Sequence, residues 1–77
     1  MNDVSLSARI AEDVRIWNYV YIGSNTKIGS DTVIGSLVHI DYDVLIGRNC
    51  KIGGLAYISS LSRIGNNVPI KIGRAHV

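Results

Sequence analysis

The residues best suited to chemistry lie together in one short segment, LVHIDYDV, at positions 37–44. This segment holds a histidine, two aspartates and a tyrosine within five positions, namely His39, Asp41, Tyr42 and Asp43. Histidine takes up and releases protons near neutral pH, so it is the side chain that most often serves as a general base. The segment therefore predicts a proton-transfer site at His39, and a histidine that only packs in an interface is the alternative.

A six-residue repeat determines the elements that must position this segment. Isoleucine recurs without a miss at positions 10, 16, 22, 28, 34, 40, 46, 52, 58, 64 and 70. A small or β-branched residue follows four positions after nearly every isoleucine, and the next residue is often glycine. Self-similarity at a short fixed period is typical of a solenoid.

The length of the repeat predicts the shape of the solenoid. Six residues suffice for one short strand and one turn, with the isoleucine and the residue four positions later pointing inward. Asp or Asn in the turns, as at Asn25 and Asp31, tolerates the positive φ of a tight corner. Three units close a triangular coil of 18 residues, and stacked coils lie about 4.8 Å apart. We therefore expect an all-β fold, a parallel β-helix of about four triangular coils over residues 1–71.

Two outward-facing ladders of this β-helix are apolar or aromatic. The apolar ladder consists of Tyr19, Leu37 and Leu55, and the aromatic ladder consists of Tyr21, His39 and Tyr57. A contiguous apolar stripe on a protein surface marks a contact region. We expect subunit contacts along the apolar ladder, and we expect Tyr21, Tyr57 and Asp41 to bind substrate around His39.

Composition argues against several other classes of protein. The net charge is only +2, and no block of like charge indicates a surface for nucleic acid or for a membrane. The single cysteine, Cys50, excludes an internal disulfide and a cysteine-based zinc site. The sequence shows neither a membrane-spanning apolar run nor a signal peptide, so we expect a cytoplasmic location.

The pattern Ile-Gly-x-x-(Ser/Thr/Ala/Val)-x, from residue 4 to about residue 69, resembles that of the hexapeptide-repeat acyltransferases. The resemblance implies a left-handed parallel β-helix and a homotrimer with active sites between neighbouring coils. Two segments, RIWNYVYIG at 15–23 and IGNNV at 64–68, are similar to segments of the sugar-nucleotide N-acetyltransferases. This implies that acetyl-CoA is the donor, that the acceptor is the amino group of a sugar nucleotide for surface polysaccharides, and that no metal takes part.

The segment around His39 departs from related motifs. In the acyltransferases that act on UDP-N-acetylglucosamine, a similar stretch reads His-Ile-x-His-Asp, and its second histidine is the general base. Carried over, His39 matches the first histidine and Tyr42 occupies the position of the base, so these two residues are the catalytic candidates. In addition, Gly53-Gly54-Leu55 stands where N-acetyltransferases often carry Gln-Asn-Asn.

Two other functional classes use the same kind of solenoid. A γ-type carbonic anhydrase needs three histidine ligands for its metal, whereas this sequence contains only His39 and His76. A non-catalytic module for interaction or oligomerisation is the alternative to the enzyme, and the apolar ladder would be its contact face.

The repeat leaves its register after Pro69. The next Ile-Gly pair falls at Ile72 and Gly73, two residues out of step, which defines residues 72–77 as an out-of-register tail. The tail sequence IGRAHV is also the translation of a common sequencing adapter in one reading frame. We therefore expect residues 72–77 to be a sequencing artefact and the natural chain to continue, and a bulge after Pro69 is the alternative.

Overall fold

The computed structural model describes residues 1–71 and the backbone of residues 74–75. These residues form short β-strands of two residues each, and none of them belongs to a helix that could cross a membrane. The strands are β1 (Asp3–Val4), β2 (Arg9–Ile10), β3 (Arg15–Ile16), β4 (Tyr21–Ile22), β5 (Lys27–Ile28), β6 (Val33–Ile34), β7 (His39–Ile40), β8 (Leu45–Ile46), β9 (Lys51–Ile52), β10 (Tyr57–Ile58), β11 (Arg63–Ile64), β12 (Pro69–Ile70) and β13 (Arg74–Ala75). In β2 to β12 the second residue is the isoleucine of the repeat, so the first residue faces outward.

Every third strand pairs in parallel, and this pairing produces three sheets. The first sheet has the order β1-β4-β7-β10-β13, the second β2-β5-β8-β11, and the third β3-β6-β9-β12. Partners are 18 residues apart, as for Tyr21 opposite His39 and Ile22 opposite Ile40. The predicted fold class, an all-β parallel solenoid with coils of 18 residues, is therefore confirmed.

The last pairing has a different spacing. Tyr57 of β10 lies opposite Arg74 of β13, which is 17 residues further along the chain (74 − 57 = 17). Only the backbone of β13 is described within the predicted tail, and the other residues of 72–77 lie outside the described residues.

The interior of the coil is filled by three isoleucine ladders, as the repeat predicts. Ile22, Ile34, Ile40 and Ile58 are fully buried, whereas Ile10 in the first coil remains 37% exposed. Burial of such a side chain stabilises the fold by about 1.5–3 kcal/mol relative to exposure. The core is therefore aliphatic throughout the middle coils, and Cys50 is buried among the inward residues.

Buried hydroxyl groups link successive coils. Thr26 Oγ1 donates a hydrogen bond to the carbonyl oxygen of Asp41 at 2.9 Å, and Thr32 Oγ1 donates to that of Gly47 at 2.9 Å. Thr32 Oγ1 also accepts a hydrogen bond from the backbone N–H of Cys50 at 3.2 Å. Within residues 1–71, every buried side-chain nitrogen or oxygen has a hydrogen-bond partner. The polar interior positions therefore carry no desolvation penalty of unpaired groups.

Most corners of the triangle place one residue that is not glycine in the left-handed backbone conformation, with φ between 54° and 66°. Asp and Asn, which tolerate this conformation, occupy most of these positions. Along one edge, however, they are the three members of the apolar ladder: Tyr19 (φ 60°), Leu37 (φ 61°) and Leu55 (φ 66°). The repeating backbone of the coil thus imposes a conformation that large side chains rarely adopt.

Candidate active site

The aromatic ladder forms a continuous stack on the first sheet. Tyr21, His39 and Tyr57 are the outward residues of β4, β7 and β10, and the parallel register places them in line. The ring centroids of Tyr21 and His39 are 4.6 Å apart at an interplanar angle of 20°. Those of His39 and Tyr57 are 5.0 Å apart at 23°. The imidazole therefore lies between two tyrosine rings.

Asp41 connects two members of this stack. Its Oδ1 lies 3.7 Å from His39 Nε2, which is an ion-pair distance and too long for a hydrogen bond. Its Oδ2 accepts a hydrogen bond of 2.7 Å from the Tyr57 hydroxyl. The side chains of His39 and Asp41 are 46% and 27% exposed, respectively, so a ligand in solution can reach the imidazole.

The backbone of Asp41 is held by the coils on both sides. Its N–H donates to the carbonyl oxygen of Ile58 at 2.9 Å, and its own carbonyl oxygen accepts from the Thr26 hydroxyl. Gly23 lies directly against it, because a Cβ at Gly23 would come within 2.7 Å of the Asp41 carbonyl carbon. The close approach of these two coils therefore requires glycine at position 23.

The second catalytic candidate occupies a different place. Tyr42 lies at the corner after β7 and is 49% exposed. Among residues 1–71, its side chain forms no hydrogen bond and no ring contact with His39. The structure thus brings His39 together with the three predicted substrate-binding residues but not with Tyr42.

Sequence reasoning missed the hydrogen bond between Tyr57 and Asp41 and the supporting position of Gly23. One signal for the first was available, because Asp41 stands after the inward isoleucine, where the repeat often has glycine. A polar residue at this position projects beside the outward residues of the next coil. The contact with Gly23 was not visible, because it depends on how closely two coils stack.

A basic surface lies on the second sheet. Arg9 and Lys27 are opposite each other in the register of β2 and β5, and a notch of about 280 Å³ beside them has Ile10 and Leu45 in its wall. On the third sheet, Val33 separates the cations Arg15 and Lys51. The ion pair between His39 and Asp41 is the one found in the described part of the chain, so no carboxylate neutralises Arg9 or Lys27.

The described residues also show what the site does not assemble. Residues 1–71 contain no group of three or more His, Cys, Asp or Glu side chains that could hold a metal ion. The polar groups around His39 instead form an imidazole–carboxylate–phenol chain, which is an arrangement that moves or holds protons.

A stacked parallel β-helix with such a site on one face is the architecture of a hexapeptide-repeat transferase. A family model described as "Bacterial transferase hexapeptide (six repeats)" matches residues 7–41 and again residues 25–60. The chain therefore belongs to the bacterial transferase hexapeptide family.

Two solved structures resemble the chain. The first is a histidine-to-asparagine mutant of perosamine N-acetyltransferase from Caulobacter crescentus in complex with CoA and GDP-perosamine. It has a TM-score of 0.55 and 16% sequence identity over 96% of this chain and 50% of that chain. The second is a histidine-to-alanine mutant of GDP-perosamine N-acetyl transferase from the same organism, with the same ligands. It has a TM-score of 0.40 and 20% identity over 95% of this chain and 45% of that chain.

These likenesses establish the fold. The chain spans about half the length of the two solved structures. No curated protein matches the chain at a significant level. Activity, substrates and partners of the whole protein are therefore taken up below as proposals.

Proposed function

We propose that the protein transfers an acetyl group from acetyl-CoA to the amino group of a sugar nucleotide, as a step in surface polysaccharide synthesis. Membership of the hexapeptide transferase family supports acyl transfer. The two sequence segments that are similar to sugar-nucleotide N-acetyltransferases support the finer assignment. The single observation that carries the proposal is the exposed His39 imidazole, stacked between two tyrosines and in contact with Asp41.

His39 is the general base in this proposal. The acceptor amine attacks the thioester carbonyl, a C–N bond forms, the C–S bond breaks, and coenzyme A leaves as its thiol. The imidazole of His39 takes the proton that the amine loses. Tyr42, the other catalytic candidate, lies one corner away and stays a prediction from the family motif.

The acceptor would bind on the first sheet around the aromatic ladder. The rings of Tyr21 and Tyr57 and the carboxylate of Asp41 surround His39, so they line the surface that the sugar must approach. Aromatic rings offer large rigid faces for such contacts at low entropic cost. The acyl donor carries phosphates, and the uncompensated cations Arg9 and Lys27 offer the chemistry that such groups require.

A homotrimer formed through the apolar ladder is part of the proposal. Tyr19, Leu37 and Leu55 are 69%, 56% and 62% exposed, and all three adopt a backbone conformation that disfavours large side chains. Strain of this kind persists where the side chains have a role, and an exposed apolar stripe fits a second copy of the chain. We also propose a cytoplasmic location, which follows from the sequence alone.

An acceptor panel tests the proposal. The protein is incubated with acetyl-CoA and a set of amino-sugar nucleotides, each matched by the sugar nucleotide with a hydroxyl group in place of the amine. We expect release of free thiol and an acetylated product with at least one amine and with none of the hydroxyl analogues. Acetylation of the hydroxyl analogues alone, or of no member of the panel, would contradict it.

A second candidate function is a non-catalytic oligomerisation module. The exposed and strained apolar ladder is the observation that favours it. This candidate predicts self-association through the ladder together with no thiol release from acetyl-CoA in the presence of any acceptor.

A further inference from the structure

We infer that Tyr57 and Asp41 act as a positioning pair that holds the His39 imidazole in one tautomer, with the proton on Nε2 and the basic lone pair on Nδ1. The inference deepens the proposed function and rests on it only for its catalytic consequence. It gives Asp41 and Tyr57, which the sequence predicts as substrate contacts, a role that acts through His39.

The tautomer follows from what faces each nitrogen. A neutral imidazole has one N–H donor and one lone pair, whereas an ionised carboxylate can only accept. Asp41 Oδ1 lies 3.7 Å from His39 Nε2, so a proton on Nε2 is attracted to it and a lone pair there is repelled. The lone pair is therefore favoured on Nδ1, which becomes the nitrogen that accepts the substrate proton.

Tyr57 fixes both partners of this contact. Its hydroxyl donates to Asp41 Oδ2 at 2.7 Å, and its ring stacks on the imidazole at 5.0 Å. Tyr21 stacks on the opposite side of the imidazole at 4.6 Å, but its hydroxyl forms no hydrogen bond within residues 1–71. The two tyrosines are therefore alike as stacking partners and differ in the bond to Asp41.

The carboxylate itself starts from a fixed backbone. The Thr26 hydroxyl holds the Asp41 carbonyl oxygen, and the N–H of Asp41 is bound to the next coil. Gly23 allows these coils to approach without a clash. A carboxylate held at both backbone groups and at Oδ2 orients a partly exposed imidazole better than one that rotates freely.

The tautomer can be measured without any activity. In protein labelled with ¹⁵N in histidine, the shifts of the two ring nitrogens report the fraction of each tautomer at about pH 9, where free histidine is neutral. His39→Gln identifies the signals that belong to His39. Tyr57→Phe removes the hydroxyl and keeps a stacking ring, and Tyr21→Phe is its matched control.

We expect the Nδ1–H fraction of His39 to rise about two- to fivefold in Tyr57→Phe, the range for loss of one partly exposed polar contact, and to stay unchanged in Tyr21→Phe. Asp41→Asn should give a rise of the same size, with Asp43→Asn as its control. Equal effects of the two tyrosine variants, or no effect of Asp41→Asn, would overturn the inference.

Kinetics separate this inference from the proposed function. We expect Tyr57→Phe to lower kcat for acetyl transfer about two- to fivefold with little change in KM, while Tyr21→Phe keeps kcat. If the tautomer shifts but the parent protein acetylates no acceptor, the proposed function fails and the positioning pair stands. If the parent protein is active and the tautomer fraction does not respond, the positioning pair fails and the function stands.

Discussion

Replacement of Gly23 by alanine should destabilise the protein and disturb the site at once. The new Cβ would lie 2.7 Å from the carbonyl carbon of Asp41, 2.8 Å from its oxygen and 2.8 Å from the N–H nitrogen of Tyr42. All three atoms belong to the backbone, so no side chain can rotate away and the two coils must separate. Overpacking of this kind costs about 1–3 kcal/mol.

The measurement for Gly23→Ala is urea unfolding. With a slope of about 1 kcal/mol per molar urea, as for the smallest domains, the midpoint should fall by about 1–3 M. Gly65→Ala is the matched control, because it occupies the same position of the repeat and no atom lies within 4 Å of its new Cβ. The control should be neutral or stabilising by up to about 1 kcal/mol. Equal midpoints for the two variants would refute the close stacking of coils at Asp41.

Three further predictions concern the interface, the interior and the basic surface. Leu37→Asp should convert the oligomer to monomer in sedimentation equilibrium, whereas Leu61→Asp, an equally exposed leucine at another corner, should not; dissociation by both variants would contradict the assignment of the ladder. Thr32→Val should lower the free energy of unfolding by about 1–3 kcal/mol because two buried hydrogen bonds are lost, and Thr32→Ser should recover most of it in urea titrations. Lys27→Ala should raise the KM for acetyl-CoA about two- to fivefold, whereas Lys51→Ala, whose neighbours in the ladder are uncharged, should leave it unchanged; the reverse order would exclude a phosphate contact at Lys27.

The fold could be predicted from the sequence because one constraint repeats in every unit. Each isoleucine of the repeat has to enter the interior, and only a coil of three units allows that at a spacing of six residues. The same spacing placed Tyr21, His39 and Tyr57 in one ladder. Register alone was sufficient for these conclusions, since parallel strands bring residues 18 positions apart together.

Other parts of the site needed the three-dimensional structure. The hydrogen bond from Tyr57 to Asp41 joins residues 16 positions apart, so it depends on side-chain rotamers as well as on register. The left-handed conformation was predicted for Asp and Asn, but Leu37 and Leu55 adopt it too, because the geometry of the coil outweighs the preference of a single residue. The separation of Tyr42 from His39 was equally invisible in the sequence, where the two are close.

The central claim is that His39 is the base for acetyl transfer. The most direct test compares kcat of the parent protein and of His39→Asn, both saturated with acetyl-CoA and with the acceptor found in the panel. General-base catalysis contributes about 10²- to 10⁴-fold, so we predict a decrease in kcat of that size with an unchanged KM for acetyl-CoA. A His39→Asn variant with the kcat of the parent protein would contradict the account.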